Sequence, residues 1–211
     1  MKFLISAGPT REMLDEVRFF SNLSSGKTGF AIAQAAQERG HEVILVSGPV
    51  QLSPPTKIDY RPVISALEMF NTMVQEFPSC DAVIMSAAVA DYRPAQRVKG
   101  KLKKSSGPLT LELVRNPDIL KKLGEPKQSQ VLIGFALEVA NAEANAQQKL
   151  EKKNLDLIVL NGPGNFASSE SEFRALTATG FSEVMGMTKE SLGHFLGEKA
   201  EELHRSRPTG A

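Results

Sequence analysis

Cysteine is almost missing from this sequence. Cys80 is the only one in 211 residues, so no internal disulfide can form and a thiolate metal site is excluded. The chain suits a reducing compartment. Histidine is scarce as well: His41, His194 and His204 are scattered, with no HExxH-type pair, which argues against a zinc site. Excess charge of one sign is missing too. Lys plus Arg number 25, Asp plus Glu 24, leaving a net +1. A general nucleic-acid binder carries a basic excess, so that class is disfavoured. Long apolar runs are lacking, and residues 43–46 and 81–89 fall far short of a membrane span. The amino terminus enters a strand-like run directly, without the arrangement of a signal peptide. The expectation is a cytoplasmic protein with neither membrane nor nucleic acid as partner. No internal repeat or low-complexity segment is evident.

What is present is ordinary globular composition, 41% apolar and 23% charged. The length fits one domain able to bury a large core. Apolar runs at 2–6, 42–46, 81–87, 131–136 and 155–160 read as buried strands, and 57–63 as a short one. Between them lie helix patterns. One spans 26–39 and ends at Gly40, a natural residue just past a helix. Another opens at the capping box Ser65-Ala66-Leu67-Glu68. A third opens at Asn116-Pro117-Asp118, with Pro117 at the favoured first position. The last two cover 141–153 and 189–204. Residues 109–114 read as a half-exposed strand, and 173–179 with 181–187 as a hairpin. Strands alternating with helices imply a parallel sheet covered on both faces. The expected fold is α/β: a three-layer α/β/α, Rossmann-like, mostly parallel sheet with an antiparallel hairpin addition. One domain is expected over 1–204, with a flexible tail at 205–211.

Ser24-Ser25-Gly26-Lys27-Thr28 imitates a phosphate loop, but Ser21 stands where the motif needs glycine. The weaker reading is anion binding at a helix N-terminus, against a merely Ser-capped helix. Gly162-Pro163-Gly164 with Ala167 imitates a dinucleotide fingerprint, yet no helix pattern follows, and an ordinary loop is expected. Arg97, Lys99, Lys101, Lys103 and Lys104 put five cations in eight residues. A mobile loop of that kind can close over a polyanion, or it is a solvated charge run. Residues 86–91 follow a parallel strand, where open α/β sheets bind ligands; Asp91 could take a hydroxyl or an exocyclic amine. Lys149 and Lys153 share a helix face and could reach a triphosphate, though a solvated face is the stronger reading for these two alone. Glu138, at a strand end, is equally ambiguous.

Taken in order, these segments resemble one family. Ser6-Ala7-Gly8-Pro9-Thr10-Arg11-Glu12 followed by Arg18-Phe19-Phe20-Ser21-Asn22-Leu23-Ser24-Ser25-Gly26-Lys27-Thr28-Gly29 resembles the opening of phosphopantothenate–cysteine ligases, also called phosphopantothenoylcysteine synthetases. Residues 87–94, 100–104, 116–120, 133–138 and 152–158 continue the resemblance over nearly the whole chain.

The resemblance implies an enzyme of coenzyme A biosynthesis, of the bacterial CTP-dependent type. The carboxylate of 4′-phosphopantothenate attacks the α-phosphorus of CTP, releasing pyrophosphate and leaving an acyl-cytidylate. The amine of L-cysteine then displaces CMP. By the same resemblance Asn22 holds the acyl-cytidylate, and Lys101 is the catalytic lysine of a flap at about 95–107. Ala87, Ala88, Asp91, Lys101, Asn116, Pro117, Asp118, Ile119, Phe135, Lys149 and Lys153 form the nucleotide site. Arg18 and Asn22 lie on the phosphopantothenate side. Mg²⁺ is expected with the triphosphate, held by phosphate oxygens and water, with no protein metal cluster. The family implies a homodimer. It also implies a flavin-dependent decarboxylase as a fused or separate partner, with no flavin on this chain, which is then a stand-alone ligase or an excised domain. Two other classes stay open. An NAD(P)-dependent reductase would need G-x-G-x-x-G after the first strand, where Ala7-Gly8-Pro9-Thr10-Arg11-Glu12 stands. A non-catalytic nucleotide-binding module would bind without turnover.

Overall fold

In the computed structural model the apolar runs become the middle of one sheet. The structure describes residues 1–103, 106–137, 142–161 and 170–207. Readings made at Lys104, Glu138, 162–164, 167 and 208–211 lie outside them. The chain runs through β1 (Lys2–Ala7), β2 (Arg11–Met13), β3 (Phe19–Ser21), α1 (Lys27–Glu38), β4 (Glu42–Ser47), β5 (Asp59–Pro62) and α2 (Ala66–Glu76). It continues through β6 (Ala82–Met85), β7 (Tyr92–Pro94), β8 (Leu113–Arg115), α3 (Ile119–Gly124), β9 (Val131–Leu137) and α4 (Ala142–Lys152). It closes with β10 (Leu157–Asn161), β11 (Glu170–Thr177), β12 (Gly180–Phe181), β13 (Met185–Thr188) and α5 (Lys189–Arg205).

The parallel strands stand in the order β5-β4-β1-β6-β9-β10. That is the doubly wound order 3-2-1-4-5-6, whose direction of progression reverses between β1 and β6. Leu4 lies level with Ile44 on one side and Val83 on the other. Alternate residues serve opposite faces. Phe3, Ile5, Leu45, Ile84, Ile133 and Val159 pack with residues of α1 and α5, and Leu4, Ile44, Val83, Leu132 and Ile158 with those of α2, α3 and α4. The three-layer α/β/α architecture is therefore as expected. The antiparallel addition is β11 on β10, with β12 and β13 both pairing back onto β11.

Two small hairpins lie off the sheet. β2 pairs with β3, and β7 with β8. The first falls within the polar stretch 11–25, where the sequence reading places no element. The strand expected at 109–114 is shifted to Leu113–Arg115, because only there does it meet Tyr92–Pro94.

Helix α5 is clamped to the end of α1. Arg39 bonds Glu198 at 3.2 Å and Glu201 at 2.8 Å, and His41 Nε2 meets the same Glu201 oxygen at 2.8 Å. Arg39, and then His41, hold the Glu201 carboxyl at about 2, against its usual 4.5. A lowered carboxylate contributes stability above its unfolded value and loses it as pH falls toward the folded one. Glu201→Gln is therefore expected to lower the urea midpoint at neutral pH. Its deficit relative to wild type should shrink between pH 4.5 and about 2. A deficit that stays constant with pH would remove the ion pair from the account. Beyond α5, Arg207 Nη2 bonds Asp156 Oδ1 at 2.7 Å, so part of the expected tail is held.

Candidate functional site

The site begins where β1 and β6 leave the sheet. Past the last paired residues the two exits are stitched together. Ser86 Oγ donates to the Ser6 carbonyl at 2.6 Å, and Ser6 Oγ accepts from Ala87 N at 3.1 Å. Ala88 N donates to Gly8 O at 2.9 Å and Thr10 N to Ala88 O at 3.2 Å. Buried Thr10 accepts from Ala90 N through Oγ1 at 3.0 Å. Asn22 Nδ2 also donates to Ala88 O, at 3.0 Å. At the switch point the two exits are therefore bonded to each other, and a cleft opens one strand further along.

That space is a cleft of about 500 Å³ outside the carboxyl ends of β6 and β9. Such a volume suits a small-molecule site. Ala87, Asp91, Asn116, Pro117, Asp118, Ile119, Phe135, Lys149 and Lys153 all line it. Residues from four separate stretches of the chain meet there. Asn116 fixes one wall: its N–H donates to Asp91 O at 2.8 Å and its Nδ2 to Ala90 O at 2.8 Å. Arg93 Nη1 donates to Asn116 Oδ1 at 3.0 Å.

Asp118 has local work. Its Oδ1 caps α3 by accepting from Lys121 N at 3.0 Å, and its carboxylate bonds Lys153 Nζ at 2.8 Å. Pro117 therefore precedes the cap instead of starting the helix. A Cβ on Gly124 would come within 2.0 Å of Lys153 O, so only glycine lets α3 lie against the end of α4. These contacts aim a cation at the cleft. Tyr92 and Arg115, which sequence reading did not single out, line it as well. The Arg115 guanidinium lies 5.9 Å from the Tyr92 ring centroid. Arg115 directly precedes Asn116-Pro117-Asp118, a position that could have flagged it.

Ala88, Arg18, Asn22 and Lys101 are not among the lining residues. Ala88 and Asn22 sit at the adjoining exit of β1 and β6. Arg18 is turned toward the buried Asp15, donating to Oδ2 from Nε at 2.9 Å, and from Nη2 to Leu102 O at 2.8 Å. Lys101 is exposed on a loop laid against the tip of the β2–β3 hairpin. Val98 N donates to Leu14 O at 2.9 Å, and Gly100 N to Glu16 Oε1 at 3.2 Å. Asp15 and Thr10 carry no sequence signal of these roles, because buried hydrogen bonding has no period.

Comparison with known proteins gives a consistent picture. Residues 1–203 match the family model described as DNA/pantothenate metabolism flavoprotein C-terminal domain. The coenzyme A biosynthesis bifunctional protein CoaBC of Bacillus subtilis (strain 168) is 50% identical over 159 residues, covering 75% of this chain and 39% of that protein. A protein named cysteine/cysteine sulfinic acid decarboxylase, from an unknown prokaryotic organism, is 47% identical over 162 residues, 76% of this chain and 45% of that protein. The chain thus spans less than half the length of these two curated relatives. The crystal structure of the C-terminal domain of a CoaBC superposes with a TM-score of 0.83 at 40% identity, covering 98% of this chain and 96% of the other. With its doubly wound sheet, its cleft beyond β6 and β9, and a family match over nearly its whole length, the chain belongs to the DNA/pantothenate metabolism flavoprotein C-terminal domain family.

Proposed function

We propose that this protein is a phosphopantothenate–cysteine ligase that activates its acid substrate with CTP. The observation that carries the reading is the cleft itself. It gathers Lys149, Lys153, the Asn116–Ile119 turn and Asp91 at the strand ends, beside the exit that holds Asn22. Two polyanions must meet in the reaction, and cations near the developing charge lower its cost.

In the proposed reaction a carboxylate oxygen of 4′-phosphopantothenate attacks the α-phosphorus of CTP, and the bond to pyrophosphate breaks. Lys149 and Lys153 lie along the triphosphate. Asp91 and the Asn116 turn take the base, where a carboxylate can accept from the exocyclic amine of cytosine. Mg²⁺ accompanies the triphosphate on phosphate oxygens and water. The Asn22 amide hydrogen-bonds the activated carbonyl without competing as a nucleophile. The amine of L-cysteine then attacks the acyl carbon, CMP leaves, and the amine loses a proton. Lys101 neutralises phosphoryl charge, and Arg18 lies on the phosphopantothenate side.

The proposal includes a cytoplasmic homodimer. Val17, Phe19, Phe20 and Leu23, apolar and exposed on and just after the β2–β3 hairpin, support a protein–protein contact. Among the described residues no helix is long and apolar enough to cross a membrane. A flavin-dependent decarboxylase, fused or separate, fits the bifunctional name of the relatives. The test is pyrophosphate release with 4′-phosphopantothenate and Mg²⁺, comparing CTP with ATP. Release with CTP supports the proposal, whereas folded protein inert with both nucleotides sinks it.

A further inference from the structure

Asp15 is a buried carboxylate that the proposed chemistry does not use. Its Oδ1 accepts from Val17 N at 2.8 Å and Arg18 N at 2.7 Å, shaping the hairpin tip. Its Oδ2 accepts from Arg18 and also, across the loop, from Leu102 N at 3.0 Å. Arg18, fixed by that carboxylate, donates in turn to Leu102 O at 2.8 Å. Both backbone polar groups of the residue following Lys101 are therefore tied to one buried acid. On the other side of Lys101, Gly100 N donates to Glu16 at 3.2 Å, and Gly100 O accepts from Glu16 N at 3.3 Å.

We propose that Asp15 is a positioning residue for Lys101, acting through Arg18 and Leu102, and that the hairpin tip fixes where the lysine is presented. This deepens the ligase reading and rests on it for its kinetic consequence, although the clamp is a property of the chain alone. Three features favour it over simple turn stabilisation. The bonds to Leu102 span more than eighty residues of sequence, so they cannot serve the local turn. Arg18 is used as a two-sided bracket, acid on one side and carbonyl on the other. The donors also keep the Asp15 carboxyl well below the usual carboxylate range, Arg18 contributing most, so it stays an acceptor at working pH.

Trypsin reads the clamp without any assay of activity, since Arg97, Lys99 and Lys101 are cleavage points. In Asp15→Asn, cleavage in this loop is expected to be about tenfold faster than in wild type, the size expected from losing a charge-assisted bond. An unchanged rate in folded Asp15→Asn overturns the proposal. Arg18→Gln, which removes the guanidinium between Asp15 and Leu102 O, serves if Asp15→Asn does not fold, with the same expected and contrary results at Arg97, Lys99 and Lys101. Kinetics then separate positioning from general damage. Asp15→Asn should lower kcat more than it raises KM, and should cost little further in a Lys101→Gln background. An equal loss in that background makes the role structural and contradicts the proposal. If wild type releases no pyrophosphate, the ligase reading fails, while the proteolysis still decides the clamp.

Discussion

Lys101→Gln is expected to lower turnover by about a hundredfold or more, the usual consequence of removing one preorganised charge from a transition state that develops negative charge. The proposed role is neutralisation of charge on the phosphoryl oxygens. Lys101 is exposed, while the residues on either side of it are bonded to Glu16 and Asp15. The side chain therefore projects from a fixed backbone point and is not itself packed. Stability should stay within about 0.5 kcal/mol, as for other exposed substitutions. Thermal melting and steady-state kinetics on the same preparation check both halves. Wild-type turnover would make the basic loop a solvated charge run, and a lost melting transition would mean that Lys101 holds the fold instead.

Asp156→Ala is expected to lower stability by about 3 kcal/mol, the usual penalty for breaking a buried ion pair from one side. Asp156 Oδ2 accepts from Lys127 Nζ at 3.0 Å and from Leu132 N at 2.7 Å, and Oδ1 accepts from Arg207. The Lys127 side chain is only 7% exposed. Burial already pushes its ammonium down from the usual value, against the pull of Asp156. Removing the acid strands that cation and frees a strand N–H at once. A loss of that size corresponds to roughly 6–12 °C in melting temperature for a chain this long. Asp156 immediately precedes β10, and none of its three donors lines the cleft. A fall below about 1 kcal/mol would show that the three donors find other partners.

The sheet was legible because its strands are buried on both faces and so read as unbroken apolar runs. Val43–Val46 and Ala82–Met85 announce themselves this way. Helix ends were legible where one residue does the work. Ser65 caps α2 through Glu68 N at 3.2 Å, and Gly40 follows α1 at φ 81°. Of the three-residue strands, β2, β3 and β7 were not. Phe19–Ser21 is exposed throughout, so no alternation distinguishes it from loop. Its existence depends on pairing with β2 across the hairpin.

The cleft was legible only through ordered motifs, since its lining joins residues from Ala87 to Lys153 that the strand order alone brings together. The hydrogen-bond partners of single residues were harder to read. Asp118 was read as a nucleotide contact, and here its carboxylate is engaged by Lys121 N and Lys153. Arg18 was read on the substrate side, and its guanidinium brackets Leu102. Lys153 and Leu102 lie tens of residues from Asp118 and Arg18, and a motif does not encode such partners.

The central claim is activation of the acid through a nucleotidyl anhydride in this cleft. The most direct measurement is a single turnover with CTP, Mg²⁺ and 4′-phosphopantothenate in the absence of cysteine, quenched and read by mass. The expected result is a species with the mass of phosphopantothenoyl-cytidylate, formed with one pyrophosphate and consumed to CMP when cysteine is added. Appearance of CDP and an acyl phosphate instead would place the attack at the γ-phosphorus and contradict it.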